Sequence, residues 1–148
     1  KVLLMVMSVP TWTGMVMVPP SATVAASEKV SVGEVASVSL VTVTPVGDEI
    51  VITKTTDSAL AGSNLRLLLH NMGIDTVVVT GVLTDQCVSG TVRSLADESF
   101  KVWLIEDGCR ASTAQIQANE LEILNNIYCH VINTDELLAA LEAAHKQA

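Results

Sequence analysis

The stretch Thr80–Gly90, TGVLTDQCVSG, ends an apolar run on a glycine and then delivers an acid, an amide and a cysteine within six residues. A strand that merely packs needs no such ending, whereas one that presents a nucleophile does. If Cys87 opens the helix that follows, it gains twice. The positive end of the helix favours a thiolate, and the free N–H groups of the first turn can hold an oxyanion. A second reactive group, Lys54, closes the run EIVITK. An ammonium near the thiol would favour the thiolate further. The bland readings stand beside these: a buried free cysteine often acts as a small hydrophobe, and a lysine at a strand end often reaches solvent.

The elements that must position these residues follow from periodicity and punctuation. KVLLMVM and SVSLVTV read as strand-like pieces, and the paired Pro19 and Pro20 mark a loop. Beyond Gly47 the pattern sharpens. EIVITK reads as a buried strand, and SNLRLLLHNMG as a helix with Ser63 as N-cap and Gly73 as its stop. DTVVVTG is the next strand. Cys87 to Ser99 reads as a helix with Val88, Val92, Leu95 and Ala96 facing inward. KVWLIED, the amphipathic TAQIQANELEILNNIY, the short HVIN and the capped TDELLAALEAAHK complete the alternation. Strands too apolar for a wet face, alternating with helices, predict a three-layer α/β/α domain on a mainly parallel sheet. In such a sheet chemistry gathers at the carboxyl ends of the strands, where Lys54 and Cys87 both fall.

Composition narrows the function classes. The 148 residues suit a single domain with a real core, and 49% hydrophobic content argues against disorder. Eight Lys and Arg against sixteen Asp and Glu leave a charge of −8 without a basic run, which disfavours nucleic acid. No stretch is apolar for long enough to span a membrane, and the apolar start is too interrupted by Pro10 and TWTG for a signal peptide. Three cysteines without a CxxC support neither a disulfide framework nor a zinc ribbon, so a reducing, cytoplasmic setting is expected.

From Gly47 to about Leu138, with GVLTDQCV at its centre, the chain resembles the isochorismatase-like cysteine hydrolases, which include nicotinamidase, N-carbamoylsarcosine amidohydrolase and biuret hydrolase. The resemblance implies that Cys87 is the nucleophile and Lys54 the lysine of an Asp–Lys–Cys triad. It implies a cis peptide at Val82–Leu83, turning the N–H of Leu83 toward that of Cys87 to form an oxyanion hole. It further implies hydrolysis of a C–N bond in an amide or ureido small molecule through a thioester, with no cofactor, and a homodimer or homotetramer. Thr84 of the same motif is expected to bind substrate and to support the turn.

The departures from the family pattern are as specific. The family's first strand carries an aspartate, and KVLLMVMSV has Met7 or Ser8 where it would stand. The expectation is one domain over residues 1–148, with that Asp-bearing strand upstream of Lys1. The region after the first strand has no histidine, and His70, His130 and His145 read as structural, so no metal site is expected. The alternative, from another class, is a catalytically inactive member serving small-molecule binding or oligomer assembly. Among the remaining polar residues, Asp85 is expected to hold the turn by an Asx-type bond, and Arg93 to pair with Glu106 or Asp107. Cys109, Cys129 and Trp103 are expected to pack in the core.

Overall fold

The computed structural model describes residues 2–7 and 13–18 as backbone strands, and residues 50–146 with their side chains. The expected strand SVSLVTV, Trp12 and the paired prolines lie outside the described residues. Strands β1 (Val2–Met7), β2 (Thr13–Val18) and β3 (Ile50–Thr53) come first, followed by helix α1 (Leu65–Asn71) and strand β4 (Thr76–Val82). A five-residue π-helical turn, Thr84–Val88, leads into α2 (Ser89–Asp97). Then follow β5 (Lys101–Arg110), α3 (Ala114–Leu124), β6 (His130–Ile132) and α4 (Thr134–His145).

The strands form one sheet in the order β3-β2-β1-β4-β5-β6. Strand β1 runs parallel to β4, β4 to β5 and β5 to β6, whereas β2 is antiparallel to both of its neighbours. Two reversals restore β3 to the direction of β1, so β3 and β4 end on the same edge of the sheet. The antiparallel β2 was not read from the sequence, and it makes the sheet mainly rather than wholly parallel.

Successive residues of β4 face opposite ways, as the two-residue period of a strand requires. Val77 and Val79 join a core with Leu65 and Leu69 of α1, Val92 and Leu95 of α2, and Leu124 of α3. Val78 joins Ile105 and Leu137 of α4 on the other face, with Trp103 and Ile132 packed against them. Helices therefore cover both faces, which gives the three layers and explains why these strands are apolar without alternation.

Helix boundaries differ in detail from the sequence reading. Asn64 is the cap residue of α1, and Ser63 instead accepts the N–H of Leu65 and donates to the carbonyl of Ala59. Gly73 follows the helix with a φ of 64°, which suits a residue without Cβ. Helix α3 begins at its Thr113 cap but stops at Leu124, because Asn125 turns extended and Asn126 takes a φ of 67°. Asn133 and Glu136 form a reciprocal capping box at α4.

Candidate active site

Strand β4 ends in an irregular way. Gly81 takes a φ of 127°, the peptide bond between Val82 and Leu83 is cis, and Leu83 is extended. The carbonyl of Leu83 then accepts the N–H groups of both Gln86 and Val88, the second of which closes the π-turn. Cys87 therefore sits inside a π-turn ahead of α2, rather than at the first turn of the α-helix as the sequence suggested. Val88, wholly buried, anchors the end of the turn, and the Cys87 side chain remains half-buried.

Thr84 is fully buried, and its hydroxyl lies 2.7 Å from Oε1 of Gln117 on α3. The same Oε1 accepts the N–H of Ala111 at 2.7 Å, and Nε2 of Gln117 reaches the Cys109 carbonyl. Gln117 thus clamps the π-turn to the end of β5, with Thr84 behind the turn. The Oδ1 of Asp85 is buried and has no hydrogen-bond partner among the described residues, so the expected Asx-type bond is not made through that oxygen.

A loop after β3 supplies the other half of the site. Lys54, half-buried, donates from Nζ to the carbonyls of Thr56 at 2.9 Å and Asp57 at 3.3 Å. Its hydrogen bonds among the described residues go to this loop and not to the Cys87 sulfur. The loop is pinned to α2 by Ala59 N–H donating to Thr91 Oγ1 at 3.0 Å, and by the hydroxyls of Ser58 and Ser94 at 2.8 Å. Held this way, Asp57 presents Oδ1 to the Cys87 thiol at 3.7 Å, within reach of a hydrogen bond donated by sulfur. Asp57 did not stand out in the sequence. An acid in a Ser/Thr-rich loop looks like a solvated turn residue, and only its position three residues after Lys54 marks it.

The surrounding charges are structural. Arg93 pairs with Glu120 at 3.1 Å, donates to Ser89 and covers the ring of Tyr128, instead of reaching Glu106 or Asp107. Asp107 is occupied with the N–H and hydroxyl of Thr134 at the start of α4. Cys109 and Cys129 are buried in the core, and burial pushes each thiol up to about 12. Trp103 is only half-buried, at the edge of the core on the α4 face. Among the described residues no three His, Cys, Asp or Glu side chains come close enough to hold a metal ion, and no helix is long and apolar enough to cross a membrane.

An isochorismatase domain model matches residues 23–136, most of the chain. The chain belongs to the isochorismatase family. It is 34% identical to the isochorismatase-family protein YrdC of Bacillus subtilis over 107 residues, 65% of this chain and 57% of that one. It is 30% identical to N-carbamoylsarcosine amidase of an Arthrobacter species over 101 residues, 68% of this chain and 38% of the amidase. The crystal structure of an isochorismatase-like hydrolase from Alkaliphilus metalliredigens superposes with a TM-score of 0.64 at 33% identity, covering 67% of this chain and 55% of the other. The chain thus spans about half the length of the relatives it matches. Members of this family are generally hydrolases with the α/β fold described above.

Proposed function

We propose that the protein hydrolyses a C–N bond of an amide or ureido small molecule through Cys87. The observation that carries this reading is the half-buried Cys87 thiol, held in a fixed turn at the carboxyl end of β4 and hydrogen-bonded to a carboxylate. The similarity to N-carbamoylsarcosine amidase supports the substrate class.

In this reading Cys87 Sγ attacks the substrate carbonyl carbon, and the C=O π pair moves onto oxygen. The N–H groups of Leu83 and Cys87 receive that oxyanion. Collapse breaks the C–N bond, the protonated amine departs, and water hydrolyses the thioester. Lys54 holds the loop that carries Asp57, and its positive charge favours the anionic states of the site. Thr84 serves the substrate indirectly, by fixing the turn through Gln117. No cofactor enters the scheme. Residues 1–148 act as one domain, in a reducing, cytoplasmic setting that suits three unpaired cysteines. A homodimer or homotetramer is proposed on the exposed Ile116 and Ile123 of α3 and Ile127 just after it.

One observation favours a binding protein instead: β1, VLLMVM, sits beside β4 and brings no carboxylate. The two readings separate on ammonia release from a panel of primary amides and ureido acids, N-carbamoylsarcosine among them. Hydrolysis by the protein and its loss in Cys87→Ala supports the enzyme. Hydrolysis that survives Cys87→Ala rules out the nucleophile, and tight binding of the panel without release favours the binding protein.

A further inference from the structure

A thiol that attacks a carbonyl must lose its proton, and the departing amine must gain one. Neither transfer can use a carboxylate from β1, because VLLMVM contains none. The carboxylate that touches the reacting sulfur comes from the loop after β3, at Asp57. We propose that Asp57 is the catalytic proton carrier of this site, a role that rests on Cys87 being the nucleophile.

The surroundings of Asp57 fit that role. A general base must lie within hydrogen-bond reach of the proton it takes, and Oδ1 accepts from the thiol at 3.7 Å. Its backbone is fixed from three sides. Lys54 Nζ holds the Thr56 and Asp57 carbonyls, Thr56 Oγ1 lies 2.8 Å from the carbonyls of Ser58 and Ala61, and the Ser58 and Ala59 contacts tie the loop to α2. Gly90 of α2 lies directly beneath the loop: a Cβ built there would stand 3.5 Å from Asp57 Cβ, in ordinary contact. The Asp57 side chain is itself exposed, so it can exchange protons with a leaving amine and with water.

The steps balance. The thiol proton passes to Asp57 as the S–C bond forms. It then passes to nitrogen as the C–N bond breaks, leaving a thioester and a neutral amine. Asp57 next takes a proton from water as the water oxygen attacks the thioester carbonyl. The S–C bond breaks, and the proton returns to sulfur.

The test uses p-nitrophenyl acetate, whose leaving group departs as the anion and needs no proton. The burst of p-nitrophenol reports acylation of Cys87, and the steady rate reports deacylation by water. In Asp57→Asn both the burst and the steady rate are expected to slow at least about a hundredfold near neutral pH, the low end for loss of a general base. At raised pH, where thiols ionise unaided, the burst returns while deacylation stays slow, and acetyl-Cys87 accumulates in the intact mass. Asp57→Glu is expected to recover part of the steady rate. Deacylation at the native rate in Asp57→Asn overturns the proposal, as does accumulation of acetyl-enzyme in Asp85→Asn in its place. A burst that survives Cys87→Ala, or no acetylation of Cys87 in the unmodified protein, instead removes the nucleophile reading on which the proposal rests.

Discussion

The thiol of Cys87 and the carboxylate of Asp57 meet at 3.7 Å although thirty residues separate them. Their strands are not neighbours: β3 lies at one edge of the sheet, and β2 and β1 stand between it and β4. The loop after β3 crosses that gap and settles on α2, the helix that follows the cysteine. Two short polar contacts, Ala59 to Thr91 and Ser58 to Ser94, fix where it lands. The pairing therefore belongs to the loop and α2 together rather than to the sheet.

Selective chemistry at Cys87 follows from the contrast among the three thiols. Burial pushes Cys109 and Cys129 up to about 12. At pH 8 such a thiol is deprotonated to about one part in ten thousand, and only the thiolate reacts. Iodoacetamide at pH 8 is expected to modify Cys87 first, with Cys109 and Cys129 protected until the protein unfolds in urea. Peptide mapping over a time course reads the order. Equal rates at all three positions would mean that the Cys87 turn offers no special access.

Much of this arrangement was legible in the residues, for physical reasons that differ by element. Val77–Val79 and Val102–Ile105 announced buried strands because both of their faces are covered, and Gly73 announced a helix end. Strand β2 escaped because the Thr13–Val18 run TGMVMV, which begins within TWTG, carries no clear alternation. The π-turn escaped because one extra residue between hydrogen-bonded groups leaves the apolar spacing nearly unchanged. Gln117 looked like a solvated residue on an amphipathic helix, yet it satisfies Thr84 and Ala111 inside the protein. Asp57 was illegible for a deeper reason: its partner is set by where a loop lands, and nothing within the loop encodes that distance.

Gly90 offers a graded probe of that landing. A Cβ there would meet Asp57 Cβ at 3.5 Å and Ser58 N at 3.6 Å, ordinary contact distances. Gly90→Ala is expected to retain esterase activity and to gain up to about 1 kcal/mol from helix propensity. Gly90→Leu has no room beneath the loop. It should lower activity at least about tenfold and cost about 1–3 kcal/mol of overpacking. Thermal melts and p-nitrophenyl acetate turnover on the same preparations separate the two effects. Full activity in Gly90→Leu would show that the loop need not stay where it lies.

Removal of the Gln117 clamp tests the support behind the turn. Gln117→Leu deprives the buried Thr84 hydroxyl and the Ala111 N–H of their shared acceptor. An unsatisfied buried donor costs about 1–3 kcal/mol, so the urea midpoint should fall accordingly. Gln117→Glu keeps an acceptor oxygen at the same reach and is expected to lose less. If Leu and Glu prove equally stable, the hydrogen bonds contribute little and the turn is held by Val88 packing alone.

Acid should weaken the protein partly through Glu98, at the end of α2. The guanidinium of Arg66 on α1 makes a close two-pronged contact with this carboxylate, and that hydrogen bonding holds Glu98 below the usual carboxylate range. A carboxyl lowered by folding contributes stability that is fully present above its unfolded value, near about 4.3. That contribution fades as pH falls through the lower folded value, because protonation then costs the native state its ion pair. Salt and solvent screen a pair whose arginine is largely exposed, so the effect is expected to be small. Urea denaturation of the native protein and of Glu98→Gln should show the native protein ahead at pH 7, with the gap closing as pH drops below about 4. A gap that stays constant down to strong acid would show that the contact does not titrate with folding, and that α1 and α2 are joined by packing of Leu65, Leu69, Val92 and Leu95 instead.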